Sequence, residues 1–139
     1  MIASDRRLAE RTPPYSPRGG GHIRLGRRGE ETAGRYLVSI GYRILERRYR
    51  TRAGEIDFIA EEGDTLAFVE VKTRSSLSFG RPAEAVDARK RSRIVGAASL
   101  YLARCAGADR SCRFDVVEVL ESPGVAPRIR LIRDAFQSA

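Results

Sequence analysis

The chain has 139 residues, of which 42% are apolar and 32% are charged, so it is long enough for one folded domain with a substantial core. It contains no apolar run long enough to span a membrane and no signal-peptide pattern at its start, so we expect a cytoplasmic protein without a membrane partner. The net charge of +8 attracts phosphate backbones, although charge alone also allows acidic proteins and membrane surfaces as partners.

The first 22 residues mix arginine with proline and glycine, which predicts a flexible basic tail (1–22) ahead of a single folded domain (23–139). Apolar residues at helical spacing then predict a helix over 25–40 with Ile40 on its buried stripe, ended by Gly41. In this helix Glu30 lies on or beside the apolar stripe, where a carboxylate needs a partner.

Alternating and helical apolar patterns define the rest of the domain. The predicted elements are strands at 42–50, 55–60 and 65–72, a loop at 74–84, a helix at 87–104, and strands at 113–120 and 128–132. The order α-β-β-β-α-β-β indicates an α/β fold with a mixed central sheet flanked by helices.

Three charged residues lie in the predicted hairpin formed by the second and third strands. If its turn is the two-residue Gly63-Asp64, the numbers of paired residues sum to 127 and Asp57 lies directly opposite Glu70. Their Cβ atoms would then be about 5 Å apart. Lys72 follows Glu70 by two residues and therefore shares its face of the strand.

Two facing carboxylates repel each other, and a divalent cation between them reverses that effect. Mg²⁺ in proteins is held by one or two carboxylates, water and substrate phosphate oxygens. Lys72 would orient or deprotonate an attacking water, or stabilise negative charge on the phosphate. The alternative is an exposed strand face on which Glu70 and Lys72 pair with neighbours. Because only two of the 26 basic residues are lysines, Lys72 and Lys90, we favour a functional role for Lys72.

The segment Gly54-Glu55-Ile56-Asp57, followed after twelve residues by Glu70-Val71-Lys72, resembles the D-x(n)-E-x-K core of the PD-(D/E)xK nuclease superfamily. More closely, residues 26–136 resemble the YraN family of small bacterial proteins, which are described as endonucleases distantly similar to archaeal Holliday-junction resolvases. The segments that carry this resemblance include Gly29-Glu30-x-x-Ala33, Phe68-Val69-Glu70-Val71-Lys72-x-Arg74, Phe79-Gly80 and Arg113-Phe114-Asp115, in that order.

The resemblance implies a restriction-endonuclease-like fold and an endonuclease that uses Mg²⁺ or Mn²⁺ to hydrolyse DNA, with branched or otherwise structured DNA as substrate. It makes Asp57 and Glu70 metal ligands, adds the Val71 carbonyl as a third ligand, and gives Glu30 an assisting role. It makes Lys72 the catalytic lysine. A resolvase-like cut in two strands would also require a symmetric homodimer.

The chain departs from the family pattern at one place. The family often has Asn before its variable loop, where this chain has Arg48-Tyr49-Arg50. We therefore expect no polar role for this segment.

Basic residues near the predicted site are candidates for contact with the nucleic acid backbone. Arg74 follows Lys72, and Lys90, Arg91 and Arg93 open the second helix, where positive charge opposes the helix dipole unless an anion binds. This favours phosphate contact over a solvated basic face. Farther along the chain, Arg113 and Asp115 are two residues apart on a strand, where we prefer an ion pair to a catalytic role.

A second function fits the same residues. It is a non-catalytic module of the same fold that binds nucleic acid, or a protein partner, in DNA repair, recombination or uptake. The single histidine, His22, lies in the tail, and the Gly19-Gly20-Gly21 run lacks the context of a phosphate-binding loop. We therefore expect no histidine-based catalysis and no small-molecule organic cofactor.

Overall fold

The computed structural model describes residues 21–75, 87–106 and 109–138. Most of the predicted tail and the segment 76–86, which includes Phe79 and Gly80, lie outside the described residues. The elements are helix α1 (Gly21–Ser39), strands β1 (Arg43–Arg50), β2 (Glu55–Glu62) and β3 (Thr65–Ser75), helix α2 (Ala88–Tyr101) with a π-helical extension (Leu102–Ala106), and strands β4 (Cys112–Glu121) and β5 (Arg128–Phe136). The predicted order is confirmed.

The five strands form one sheet in the order β1-β2-β3-β4-β5. Only the β3–β4 pair is parallel, because α2 carries the chain from the end of β3 back to the start of β4. The predicted α/β fold with a mixed central sheet flanked by helices is confirmed, and it is consistent with a restriction-endonuclease-like fold. Within the part of the chain that the structure describes, no helix has the length and apolar composition needed to cross a membrane.

Each helix covers one face of the sheet. Leu66 and Phe68 of β3 pack in the core cluster that contains α2, whereas Ala67 and Val69 pack in the cluster that contains α1. Because both faces of β3 are covered, its sequence is apolar almost without interruption up to Glu70.

The alternation of β2 side chains between the two faces of the sheet is interrupted around Asp57. The sequence predicts that Ile56 and Phe58 share one core face, but Ile56 packs in the cluster with α2 and Phe58 in the cluster with α1. On the neighbouring strand β1, Arg48 takes a left-handed conformation at the same level, with φ +50°. The regular two-residue alternation is therefore interrupted where the charged residue lies.

Helix α1 ends as the sequence predicts. Gly41 has φ +102°, a conformation that glycine adopts without strain, and its N–H bonds to the Val38 carbonyl at 3.1 Å. The helix begins earlier than predicted, at Gly21, within the last two residues assigned to the tail. Placing Ile40 on the buried stripe was wrong: it follows the last helical residue and is 38% exposed.

A buried polar network ties the first strand to the last two. The fully buried carboxylate of Asp115 accepts hydrogen bonds from the Tyr42 hydroxyl at 2.8 Å, from Nε of Arg113 at 3.0 Å and from the backbone N–H of Asp134 at 3.0 Å. The expectation of an ion pair at Arg113 and Asp115 is thus confirmed, and the structure shows that the two residues pair with each other. Burial and the hydrogen bond to Asp115 raise the pKa of Tyr42 to about 12.

Glu62, at the end of β2, extends this network towards the surface. It pairs with Arg113 and with Arg133, whose Nε lies 2.8 Å from Oε1. Arg133, followed by Arg113, lowers the pKa of Glu62 from 4.5 to about 2.

We predict that Glu62→Gln destabilises the protein at pH 7 by about 1 kcal/mol, a discounted value because the pair is partly exposed. A carboxylate with a lowered folded-state pKa stabilises the fold above its ordinary pKa, and this contribution is lost as the pH falls through about 4.5 to about 2. Urea unfolding of both proteins across this range should therefore show a difference that shrinks with acidity. Glu31→Gln, which removes an exposed pair with Arg27, is the control. An equal difference at all pH values would contradict the prediction.

Candidate functional site

The hairpin of β2 and β3 carries the two predicted metal ligands. Gly63 takes a left-handed conformation in its turn (φ +59°), and the paired residues continue as far as Phe58 and Val69. Their numbers sum to 127, so the predicted register is correct. The next position along the hairpin holds Asp57 and Glu70, and their carboxylates interact.

Asp57 is held by a backbone group of the opposite strand. Its Oδ2 accepts a hydrogen bond from the N–H of Val71 at 2.8 Å. Burial raises the pKa of Asp57 well above its usual value, the charge of Glu70 raises it further, and Glu30 adds a smaller repulsion. A negative charge is therefore unfavourable here, a condition that a bound cation relieves.

Glu30 approaches the pair from α1. Gly29 makes this possible, because a Cβ at that position would overlap the Thr73 hydroxyl on β3 and force the helix away from the strand. The Glu30 carboxylate accepts a hydrogen bond from Nε of Arg48 at 2.7 Å. Burial raises the pKa of Glu30, and Arg48 opposes that shift. The sequence predicts that this carboxylate needs a partner, and in the structure that partner is an arginine of β1.

Arg48 is a residue that the sequence reasoning missed. We expected no polar role for its segment, which is wrong because Arg48 is the ion-pair partner of Glu30. Its φ of +50° is unusual for arginine, because the left-handed region is taken mainly by glycine and, among other residues, by Asn and Asp. Arg47 and Tyr49 pair with Phe58 and Ile56, which brings Arg48 level with Asp57 on the neighbouring strand. A pairing of this kind between strands cannot be predicted from apolar periodicity alone.

Lys72 lies on β3 beyond the carboxylates and is partly exposed. It belongs to the region where β3 meets the start of α2, because its charge contributes to lowering the pKa of Asp87, after the stronger effect of the backbone N–H of Lys90. The two lysines of the chain therefore lie near the same helix terminus. The catalytic role of Lys72 and the ligand role of the Val71 carbonyl stay predictions.

Lys90 makes a contact that the sequence did not predict. The sequence predicts phosphate contact, whereas in the structure its Nζ lies 2.5 Å from Oε1 of Glu70, a side chain that is only 5% exposed. The scarcity of lysine pointed to Lys90 as unusual, but its partner lies twenty residues earlier on another element. Phosphate contact by Lys90 stays a prediction.

The other predicted phosphate contacts also lie on β3 and α2. Arg74 Nε lies 3.9 Å from Oε2 of Glu118, and the guanidinium of Arg91 lies 5.5 Å from the centre of the Phe136 ring. Arg93 is exposed on α2. Phosphate contact by these three arginines stays a prediction.

The donor set favours a hard cation. Across residues 21–75, 87–106 and 109–138, no three Asp, Glu, His or Cys side chains lie close enough to hold a metal ion by themselves. Asp57 and Glu70 supply carboxylate oxygens only, which suits Mg²⁺ or Mn²⁺ completed by water, a backbone carbonyl and substrate. The nitrogen and sulfur ligands of a structural zinc site do not occur here.

A model of the family described as "Uncharacterised protein family UPF0102" matches residues 29–119. The chain belongs to this family. UPF0102 proteins of Symbiobacterium thermophilum and Nocardia farcinica are each 50% identical to it, over 115 and 112 residues, covering 83% and 81% of this chain and 98% and 88% of theirs. One of Moorella thermoacetica is 48% identical over 114 residues, covering 81% of this chain and 95% of its own.

This UPF0102 member has all its candidate site residues within the matched range. Glu30 is the second matched position, and Asp57, Glu70, Lys72 and Lys90 follow within it. The first twenty residues, which form most of the predicted tail, lie before it. The family is the one that the sequence resemblance indicated, and its description assigns no activity.

We predict that Asp57→Asn raises the melting temperature of the metal-free protein at pH 7 by up to about 4 °C. A like-charged pair on facing strands costs about 0.2–1 kcal/mol, and Asn keeps the acceptor for the Val71 N–H. The measurement is thermal unfolding in EDTA, with Asp64→Asn, an exposed residue of the same hairpin, as the control. A lower melting temperature for Asp57→Asn would show that its negative charge stabilises the fold without metal.

Proposed function

We propose that this chain is a cytoplasmic endonuclease that uses Mg²⁺ or Mn²⁺ to hydrolyse phosphodiester bonds of DNA. The observation that carries the proposal is the pair of carboxylates, Asp57 and Glu70, which meet at a buried edge of the hairpin with Lys72 two residues further on. Burial and mutual repulsion make this pair unfavourable unless positive charge is near. If the pair served only stability, replacing one of the two carboxylates by a neutral side chain would increase the free energy of unfolding.

In this proposal Asp57 and Glu70 hold the cation, with the Val71 carbonyl as a further ligand. Glu30, fixed by Arg48, assists from α1. The bound cation would polarise the phosphate and lower the pKa of an attacking water. Lys72 orients or deprotonates that water, or its positive charge stabilises the extra negative charge of the transition state.

The substrate is held chiefly through its backbone. The chain carries a net charge of +8, and Arg74, Arg91 and Arg93 lie on β3 and α2, the two elements that also carry Glu70 and Lys90. Contacts of this kind are independent of base sequence and weaken steeply as the salt concentration rises. Branched or structured DNA, cut by a symmetric homodimer, is the substrate class that the resolvase resemblance suggests.

One observation favours the second candidate, a binding module without catalysis. The ammonium group of Lys90 already pairs with Glu70, so this carboxylate has a counter-charge in the absence of metal. A module of this kind would bind DNA or a protein partner through the same basic residues. It would need no divalent cation.

Cleavage of a labelled four-way junction, with linear duplex and single-stranded DNA as controls, separates the two candidates. The assay is run in Mg²⁺, in Mn²⁺ and in EDTA. We predict cutting that requires metal and that falls at least about 100-fold in Asp57→Asn, because the site then lacks one of its two principal carboxylate ligands. Asp64→Asn should cut like the wild type. Binding of all three DNAs without cutting under any condition would support the binding module instead.

We predict that Lys72→Arg lowers the cleavage rate by about 100-fold or more, within the range expected for a positioned proton-transfer group. The guanidinium keeps the charge but does not give up a proton, and its planar shape places its donors differently. DNA affinity, measured by fluorescence anisotropy at matched salt, should change little. Full activity in Lys72→Arg would contradict a specific need for lysine, and equal losses of affinity and rate would make Lys72 a binding residue only.

A further inference from the structure

Lys90 joins the start of α2 to the least exposed carboxylate of the candidate site. Its Nζ lies 2.5 Å from Oε1 of Glu70, and the Glu70 side chain is 5% exposed whereas that of Lys90 is 49% exposed. The positive charge therefore reaches in from the surface, and the negative charge is fixed inside. Of the two partners, only the lysine has an open region into which it can move.

The helix that carries Lys90 is fixed close to the strands. Asp87 caps α2 by accepting a hydrogen bond from the backbone N–H of Lys90 at 2.9 Å. Gly54, just before β2, lies against the backbone of Arg93, and a Cβ there would come within 2.8 Å of the Arg93 carbonyl oxygen. The backbone of Lys90 is thus held in place, while its side chain has four rotatable bonds with which to leave or reach Glu70.

The contact supplies positive charge where the site most needs it. Asp57 and Glu70 repel each other in a buried position, and a buried carboxylate without a partner is strongly disfavoured. Lys90 compensates Glu70 in the absence of a metal ion. A divalent cation at Glu70 would be repelled by an ammonium group in contact with the same carboxylate.

We propose that Lys90 is an internal counter-cation of Glu70 that a divalent cation must displace in order to bind. This rests on the proposed function, in which Glu70 is a metal ligand. The Lys90–Glu70 ion pair stabilises the metal-free fold and lowers the affinity for metal. Metal binding releases the ammonium group towards the exposed side of the site.

The test is calorimetric titration with Mn²⁺ of the full chain, in the wild type and in two variants that move the affinity in opposite directions. Lys90→Met keeps the length of the side chain without its charge, and it should raise Mn²⁺ affinity about tenfold, the equivalent of about 1.4 kcal/mol. Lys90→Arg keeps the charge and can bind the carboxylate through two parallel N–H groups, so its Mn²⁺ affinity should equal the wild-type value or fall below it. Arg52→Gln, at an exposed arginine of the β1–β2 turn, controls for the loss of one positive charge.

Thermal unfolding gives a second readout that does not depend on activity. In EDTA, Lys90→Met should melt at a lower temperature than the wild type, and saturating Mn²⁺ should remove most of that difference. If metal-free Lys90→Met is unfolded, folding on addition of Mn²⁺ supports the proposal, and a chain that stays unfolded in saturating Mn²⁺ overturns it.

The outcomes distinguish the displacement of Lys90 from the metal-dependent function on which it rests. Mn²⁺ binding that Lys90→Met leaves unchanged or weakens overturns the displacement, and leaves the metal site intact. A rise that Arg52→Gln reproduces also overturns it, because a general charge effect then explains the change. If neither the wild type nor any variant binds Mn²⁺, the metal-dependent function fails, and the displacement fails with it.

Discussion

The structure around the candidate site depends on one constraint, the register that the two-residue turn at Gly63 imposes on β2 and β3. That register brings Asp57 and Glu70 together at a buried edge, where their charges repel and water is largely excluded. The neighbouring elements supply what this pair lacks. The N–H of Val71 binds Asp57, and α2 brings the ammonium group of Lys90 to Glu70. The repulsion between the two carboxylates thus lowers the stability of the fold, and the neighbouring donors partly offset this loss.

The network around Asp115 shows what the same fold does with a buried carboxylate that serves stability. Asp115 receives hydrogen bonds from the Tyr42 hydroxyl, from Arg113 and from the backbone N–H of Asp134. Asp57 has a backbone N–H and lies beside Glu70. The difference between full compensation by donors and a pair of like charges separates a structural carboxylate from one that suits a cation.

The sequence predicts the features that follow from local chemistry. Apolar periodicity yields the seven elements in their order, and the glycine turn yields the register that joins Asp57 to Glu70. What it did not predict are contacts between elements distant in the chain. The pairing of Arg48 with Glu30 depends on how α1 lies across β1, and the reach of Lys90 to Glu70 depends on the close packing of α2 at Gly54. Ile56 was placed on the wrong face because the alternation of β2 side chains between the two faces of the sheet is interrupted at Asp57. At the same level Arg48 is left-handed, a conformation that cannot be predicted from an arginine in the sequence.

The chain compensates its buried carboxylates with two different kinds of cation. Where this chain compensates Glu30 and Asp115, it uses Arg48 and Arg113, whose planar groups form directed hydrogen bonds and suit lasting ion pairs. At Glu70 it uses Lys90, in a sequence that has twelve times as many arginines as lysines. An ammonium group is a point charge on a flexible stem, so it can leave a carboxylate with less geometric constraint. A lysine at Glu70 is therefore what a site needs if its positive charge has to be exchanged for another cation.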